Sequence, residues 1–198
     1  MLHFNATLLR AVDLFKSKDP TRYYLHGIHI EPCDQGGAIA VATNGHVMMA
    51  AHDPQAQCDG NIIVNLDKNA LAACKTSRSD MSTNRRAYFE DGTCTTRQDL
   101  DDSDIASGLG LYETVDGTFP DWRRVLPLNN DGTYTPVFAT EYLALFRKAA
   151  KELETKTVMI VTGDNGPALV KFTNESVVGA IMPVRSTINQ DVPGVFAI

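Results

Sequence analysis

Apolar and polar positions along this chain repeat one layout three times: a short apolar strand, a capping residue, a helix, then strands joined by tight turns. In the first pass, Leu2-His3-Phe4 leads to Asn5, a good helix N-cap. Leu8, Val12 and Phe15 recur at helical spacing, and Asp19-Pro20 predicts the helix end. Residues 22–30 are rich in β-formers and predict a strand. After Gly36-Gly37, the runs 38–43 and 46–50 flank Asn44-Gly45, a strong short hairpin signal.

The second pass begins with a strand at 61–65 and Asp67 as cap, with a helix from 68 to about 77. Strands 86–90 and 93–97 flank Asp91-Gly92, another hairpin signal. A polar insertion between Gln98 and Gly108 holds Asp99, Asp101, Asp102 and Asp104. It lacks the ordered ligands, central glycine and closing glutamate of a calcium loop, so it reads as a solvated loop. The third pass has a strand at 135–139, Thr140 as cap, and a helix whose apolar face is Tyr142, Phe146, Ala149, Ala150 and Leu153. Strands at 157–162, 168–172 and 177–185 follow. Helices thus begin near residues 5, 67 and 140, about 60 to 70 apart, which suggests stacked copies of one supersecondary unit. The predicted class is α+β, with helices on one face and antiparallel meanders on the other.

A connector joins the second and third passes: Val115-Asp116-Gly117-Thr118-Phe119-Pro120-Asp121-Trp122-Arg123-Arg124-Val125-Leu126-Pro127. Its prolines predict a rigid extended segment rather than a helix. It carries the only tryptophan, which with Val125 offers something to bury, and a pair of arginines. By residue type alone this is a linker with one aromatic anchor.

Composition narrows the class. An apolar fraction of 43% is ordinary for a globular protein. No apolar run is long enough to span a membrane and the N-terminus lacks the pattern of a secretion signal, so a cytoplasmic protein is expected. Cys33, Cys58, Cys74 and Cys94 form no Cys-x-x-Cys pair, and reduced thiols are expected. The net charge of −6 disfavours nucleic acid for the chain as a whole. The charge is sorted, however. Helical spans 5–19, 67–79 and 140–156 hold ten of the 18 basic but only six of the 24 acidic residues, a surplus of +4 against −10 elsewhere. Ordinary solvated helix faces would explain this; so would a surface that meets phosphates without reading bases.

Catalytic chemistry is not visible. The histidines suggest no metal site: His26 and His29, three apart in an expected strand, would point to opposite faces. No phosphate-binding loop, nucleophile elbow or zinc-protease motif occurs. Neither an enzyme, a metal nor a cofactor is expected.

Four stretches together resemble the bacterial sliding clamp family, the beta subunit of DNA polymerase III. They are Arg22-Tyr23-Tyr24-Leu25-His26-Gly27, Ala42-Thr43-Asn44-Gly45-His46, the connector 115–127, and Met182-Pro183-Val184-Arg185. The resemblance implies a DNA-clamp fold of helix-plus-meander units, two to a domain, closed into a ring around duplex DNA. It implies a complete domain at 1–127 and half a domain at 128–198, with the family's first domain and the first half of its last one missing. It also implies a cleft for short peptides ending in apolar side chains. The matching positions are Leu25, Thr43, Gly45, His46, Val47, Met48, Pro120, Arg124, Val125, Ile181, Met182, Pro183, Val184 and Arg185. Val47 replaces an arginine common in the family, and Val184 a methionine. Such a cleft suits its residues, since methionines adapt to varied ligands and Arg124 or Arg185 can hold a polar end.

For DNA, Arg22, Tyr23 and Tyr24 match a family loop that touches the duplex. The helix positions Arg10, Lys16, Lys18, Lys68, Lys75, Arg78, Arg147, Lys148 and Lys151 match the lining of the hole in kind. The expected partners are non-specifically bound duplex DNA, clamp-binding peptides of replication proteins, and further copies of the chain. A half-domain leaves core and strand edge uncovered, and four chains of three units would supply the family's roughly twelve. The competing expectation is a truncated clamp, phage-like in character, that binds such peptides without encircling DNA. The tail from Ser186 to Ile198, with Gln190 and Val195-Phe196, loosely resembles a clamp-binding peptide.

Overall fold

The computed structural model describes residues 1–75, 85–98, 106–126, 136–162 and 166–185. The first segment is β1 (Leu2–Asn5), α1 (Ala6–Asp13), a 3-10 helix (Pro20–Leu25), β2 (Ile28–Pro32), β3 (Ala38–Thr43) and β4 (Val47–Asp53). The second is β5 (Ile62–Leu66), α2 (Lys68–Ala73), β6 (Arg85–Glu90), β7 (Thr93–Gln98) and β8 (Ala106–Thr114). After a single 3-10 turn (Trp122–Val125) come α3 (Thr140–Glu152), β9 (Val158–Val161), β10 (Ala168–Phe172) and β11 (Val177–Ile181).

Local chemistry accounts for most boundaries. The Asn5 side chain accepts from the Leu8 amide at 3.1 Å, and that of Asp67 from the Ala70 amide at 2.7 Å, so each satisfies an orphan donor of its helix. Asp91 and Gly92 both take positive φ, the backbone of a two-residue hairpin turn. In the β3–β4 hairpin the tip is one residue later than expected. Asn44 and Val47 close it, Gly45 takes φ +90°, and the Asn44 carboxamide oxygen accepts from the amides of His46 and Val47.

Four expectations are corrected. Residues 20–25 form two short 3-10 turns across a kink at Arg22 (φ −114°, ψ 50°), where the sequence predicts a strand from residue 22; Asp19 accepts from the Thr21 amide at 3.0 Å and Pro20 follows it with φ preset for the first turn. His26 therefore lies outside any strand. Thr140 is the first helical residue, not the cap; Ala139 stands at that position without a side-chain bond. Residues 136–139 belong to no strand, although Ala139 has extended backbone, and the connector contains a helical turn at Trp122–Val125 rather than running extended throughout. The polar insertion's acidic residues and the tail lie outside the described residues.

The strands form one antiparallel sheet in the order β1-β6-β7-β8-β5-β2-β3-β4-β11-β10-β9. The first two segments interlock, β1 pairing with β6 and β5 with β2. The third adds on through β4 and β11, from Val47 opposite Ile181 to Ala51 opposite Val177. The helices cover one face, where Phe4, Leu9, Val12, Phe15, Ile28, Met49, Phe146 and Ile181 are buried together. Strand alternation sends Val41, Met48, Ala50 and Ala180 to the opposite face, into a second, smaller cluster. β4 is thus buried on both faces, which explains its unbroken apolar run. Gly179 sits where the third segment closes on the first. A Cβ there would fall 2.5 Å from the Phe146 ring and 3.1 Å from the Met48 carbonyl oxygen.

Candidate functional site

The second cluster forms the floor of the candidate site. Trp122 is buried on the outer face of the sheet with Val41, Met48, Ala50 and Ala180; Phe119, Val125, Leu126 and Val178 pack at its margin. Three stretches far apart in sequence, the connector, β4 and β11, therefore meet on one surface. The connector is pinned there by a chain of contacts. The Phe119 ring stacks on His29 at 4.8 Å, and the Arg123 guanidinium lies 4.3 Å from the Trp122 ring and 2.6 Å from the Glu31 carboxylate. Burial alone would push the Glu31 carboxyl up, but hydrogen bonds from His29 and Arg123 outweigh it and hold it below the usual carboxylate range. The Trp122 indole N–H is buried with no hydrogen-bond partner among the described residues.

The hairpin tip supplies the adjoining edge. The His46 ring stacks on Tyr142 of α3 at 5.4 Å and 12°, and the Met182 amide donates to the His46 carbonyl at 2.8 Å. Arg22 reaches over the tip, 3.5 Å from the Asn44 carbonyl oxygen. Of the expected peptide residues, Gly45, His46, Pro120, Arg124, Met182 and Arg185 are exposed around this junction, and Thr43, Val125, Pro183 and Val184 are half-buried. Leu25, Val47, Met48 and Ile181 are buried. Val47 and Ile181 point to the helix side, because they alternate with Met48 and Ala180, so they shape the strands rather than line an outer surface.

No protein-family model matches the chain. Over 132 residues it is 28% identical to the beta sliding clamp of Caulobacter vibrioides, a match covering 62% of this chain and 33% of that one. The structure is similar to that of the sliding clamp of Bartonella birtlesii bound to griselimycin, with a TM-score of 0.65 and 20% identity, covering 93% of this chain and 66% of that one. Similarity to a Pseudomonas aeruginosa sliding clamp with ligand is of the same order: TM-score 0.66, 18% identity, 93% of this chain and 66% of the other. The chain has the sliding-clamp fold. It spans about a third of the length of the curated relatives that it matches.

In this clamp fold the expected DNA residues divide. Arg10 is committed elsewhere: its guanidinium makes two 2.9 Å hydrogen bonds to Glu152 of α3 and a further one to the Leu71 carbonyl of α2. The Lys16 ammonium lies 2.7 Å from Asp13 and bonds Asn65 at 3.1 Å. Both hold elements together instead of facing solvent. Lys18, Lys68, Lys75, Arg147, Lys148 and Lys151 are exposed, and Arg78 lies outside the described residues. Arg22 and Tyr23 are exposed, Arg22 within 3.6 Å of Asp19; Tyr24 packs against the Gly117 backbone of the connector. The expected DNA loop thus touches both the hairpin tip and the connector.

One feature is missed by sequence reasoning. A cavity of about 770 Å³ lies along the connector, lined by His29, Glu31, Ile63, Val115, Phe119 and Arg123 among others. The spacing of His29 and Glu31, two apart in a strand and so on one face, was the available signal. Among the described residues no cluster of metal-ligating side chains occurs, and no helix is long and apolar enough to cross a membrane.

Proposed function

We propose that this chain is a clamp-like, non-enzymatic replication processivity factor that binds short peptides of replication proteins on its outer face and sits around or on duplex DNA, with its helices toward the duplex. The observation that carries this reading is the burial of Trp122 against Met48 and Ala180, which brings the connector onto β4 and β11, the elements that carry the exposed Arg124 and lead into the exposed Met182 and Arg185. The exposed Met182 with the half-buried Val125, Pro183 and Val184, beside Arg124 and Arg185, suits a peptide with apolar side chains and a polar end. We assign residues 1–127 to one complete clamp-like domain and 128–198 to half a domain with a tail, and we take the working form to contain several copies.

Two measurements test it. Fluorescence anisotropy with a labelled peptide ending in apolar residues should show saturable binding that Met182→Asp weakens at least tenfold. Incubation with nicked circular DNA should give salt-sensitive retention that is lost when the circle is linearised. Absence of peptide binding overturns the proposal. Peptide binding with no retention on either DNA supports the truncated-clamp alternative, a decoy for clamp-binding peptides. That second reading is favoured by the ion pairs of Arg10 and Lys16, which withdraw two cations from the surface available to phosphate.

A further inference from the structure

Within the first two units, every strand that leads into a helix is held from both sides. On one side its partner is its own unit. His3 of β1 exchanges backbone hydrogen bonds of 3.1 and 3.2 Å with Gln57, which follows β4, and β5 pairs with β8. On the other side the partner is the sister unit, through the β1–β6 and β5–β2 pairings. The exchange is reciprocal: each unit gives its pre-helix strand to the first meander strand of the other.

The third unit makes only half of these pairings. Its pre-helix segment, 136–139, keeps the own-unit bond, with the Val184 amide donating to the Val137 carbonyl at 2.8 Å just past β11. No sister-unit pairing of this segment occurs among the described residues. Among the described residues its first meander strand, β9, is the outer edge of the sheet, with Met159 63% and Ile160 36% exposed. Beneath that edge opens a cavity of about 730 Å³, lined by Leu143, Phe146 and Ala150 of α3 and by Val158, Ile160 and Val170. An apolar edge strand over an open core is a template for pairing with another chain.

We propose that the third units of two copies of this chain complete each other about a two-fold axis. Residues 137–139 of each copy pair antiparallel with β9 of the other, and the two open cavities merge into one core. The complementarity is that of the first two units, and a self-complementary patch of this kind closes after two copies. Two chains then contain six units, arranged as three whole domains. The occupant is a second copy, not an acidic peptide, because the same chain holds both halves of the missing exchange. The inference rests on the fold and is independent of the DNA and peptide reading.

Charge gives it a signature. Arg147, Lys148, Lys151 and Lys156 rim the cavity, so joining two copies brings like charges together. Screening should tighten the dimer as salt rises from about 50 mM to about 500 mM, the opposite of an ionic partner.

Sedimentation equilibrium of the full chain, without DNA or peptide, tests the proposal. The native protein is expected to be dimeric at micromolar concentration, more so at high salt. Ile160→Lys puts an unpaired charge into the merged core and should weaken dimerisation at least about 100-fold. Because Ile160 is already partly exposed in the single chain, that variant should keep the native circular dichroism. Met159→Lys, opposite Lys171 and exposed, should leave the mass unchanged. Hydrogen exchange on the native protein gives a second readout: amides at 137–139 and 158–161 should gain protection as concentration rises. A native monomer at about 50 μM in high salt overturns the pairing. So does dissociation driven by salt, a native mass for Ile160→Lys, or concentration-independent exchange at β9.

Discussion

The Arg10 guanidinium and the Glu152 carboxylate, 142 residues apart in sequence, face each other through two hydrogen bonds of 2.9 Å. The pair ties α1 to α3, and the bond from Arg10 to the Leu71 carbonyl draws in α2 as well. The Arg10 hydrogen bond is the main reason that the Glu152 carboxyl sits below its usual range, despite burial acting the other way. A folded value below the unfolded one stabilises at neutral pH, and this contribution disappears as pH falls through the folded value. Arg10→Ala is expected to lower the unfolding free energy by about 2 kcal/mol at pH 7, and by less near pH 3. Urea titrations at the two pH values check this, and Glu152→Gln should show the same flattened dependence.

Trp122 is expected to act mainly through its surface area. Trp122→Ala removes the cover from Met48 and Ala180 and should cost about 3 kcal/mol. Since the indole N–H has no partner among the described residues, Trp122→Phe should cost much less, about 1 kcal/mol. Thermal unfolding of the two variants separates these outcomes.

Arg124 offers the opposite case. Its side chain is 85% exposed and pairs with the exposed Asp121 at 2.9 Å. Arg124→Ala should leave stability within about 0.5 kcal/mol. If Arg124 holds the polar end of a bound peptide, the variant lowers peptide affinity about tenfold, measurable by anisotropy.

The two kinds of basic residue predict different DNA phenotypes. Lys148→Glu with Lys151→Glu should reduce DNA retention and lower the salt slope by about one for each phosphate that is no longer neutralised. Lys16→Ala should chiefly lower stability, since Lys16 already serves Asp13 and Asn65. Filter binding across a salt series, with unfolding curves alongside, distinguishes them.

Gly179→Ala should separate α3 from the sheet. Its new methyl carbon would lie 2.5 Å from Phe146, whose ring also meets Phe15 at 4.9 Å. A loss of about 2 kcal/mol is expected, read from the urea midpoint.

Much of this fold was legible because local rules act over a few residues. Asn5 and Asp67 cap the helices that their spacing predicts, and Asp91-Gly92 makes the turn that its backbone freedom permits. Residues 22–25 were misread because their β-forming side chains outweighed Asp19-Pro20 in a propensity count, whereas the helical turn depends on one side-chain bond. The α+β class and the threefold repeat of helix and meander needed only the periodicity and the turns.

What the sequence determined by itself is therefore the order and kind of elements, since capping, turn geometry and alternation are set by neighbours along the chain. Only the tertiary structure decided that Val47 and Ile181 face the helices, that Arg10 and Lys16 are occupied by ion pairs, and that β9 is the edge strand among the described residues. Each depends on which strand lies beside which, and on groups brought together from distant parts of the chain, where spacing in sequence carries no information.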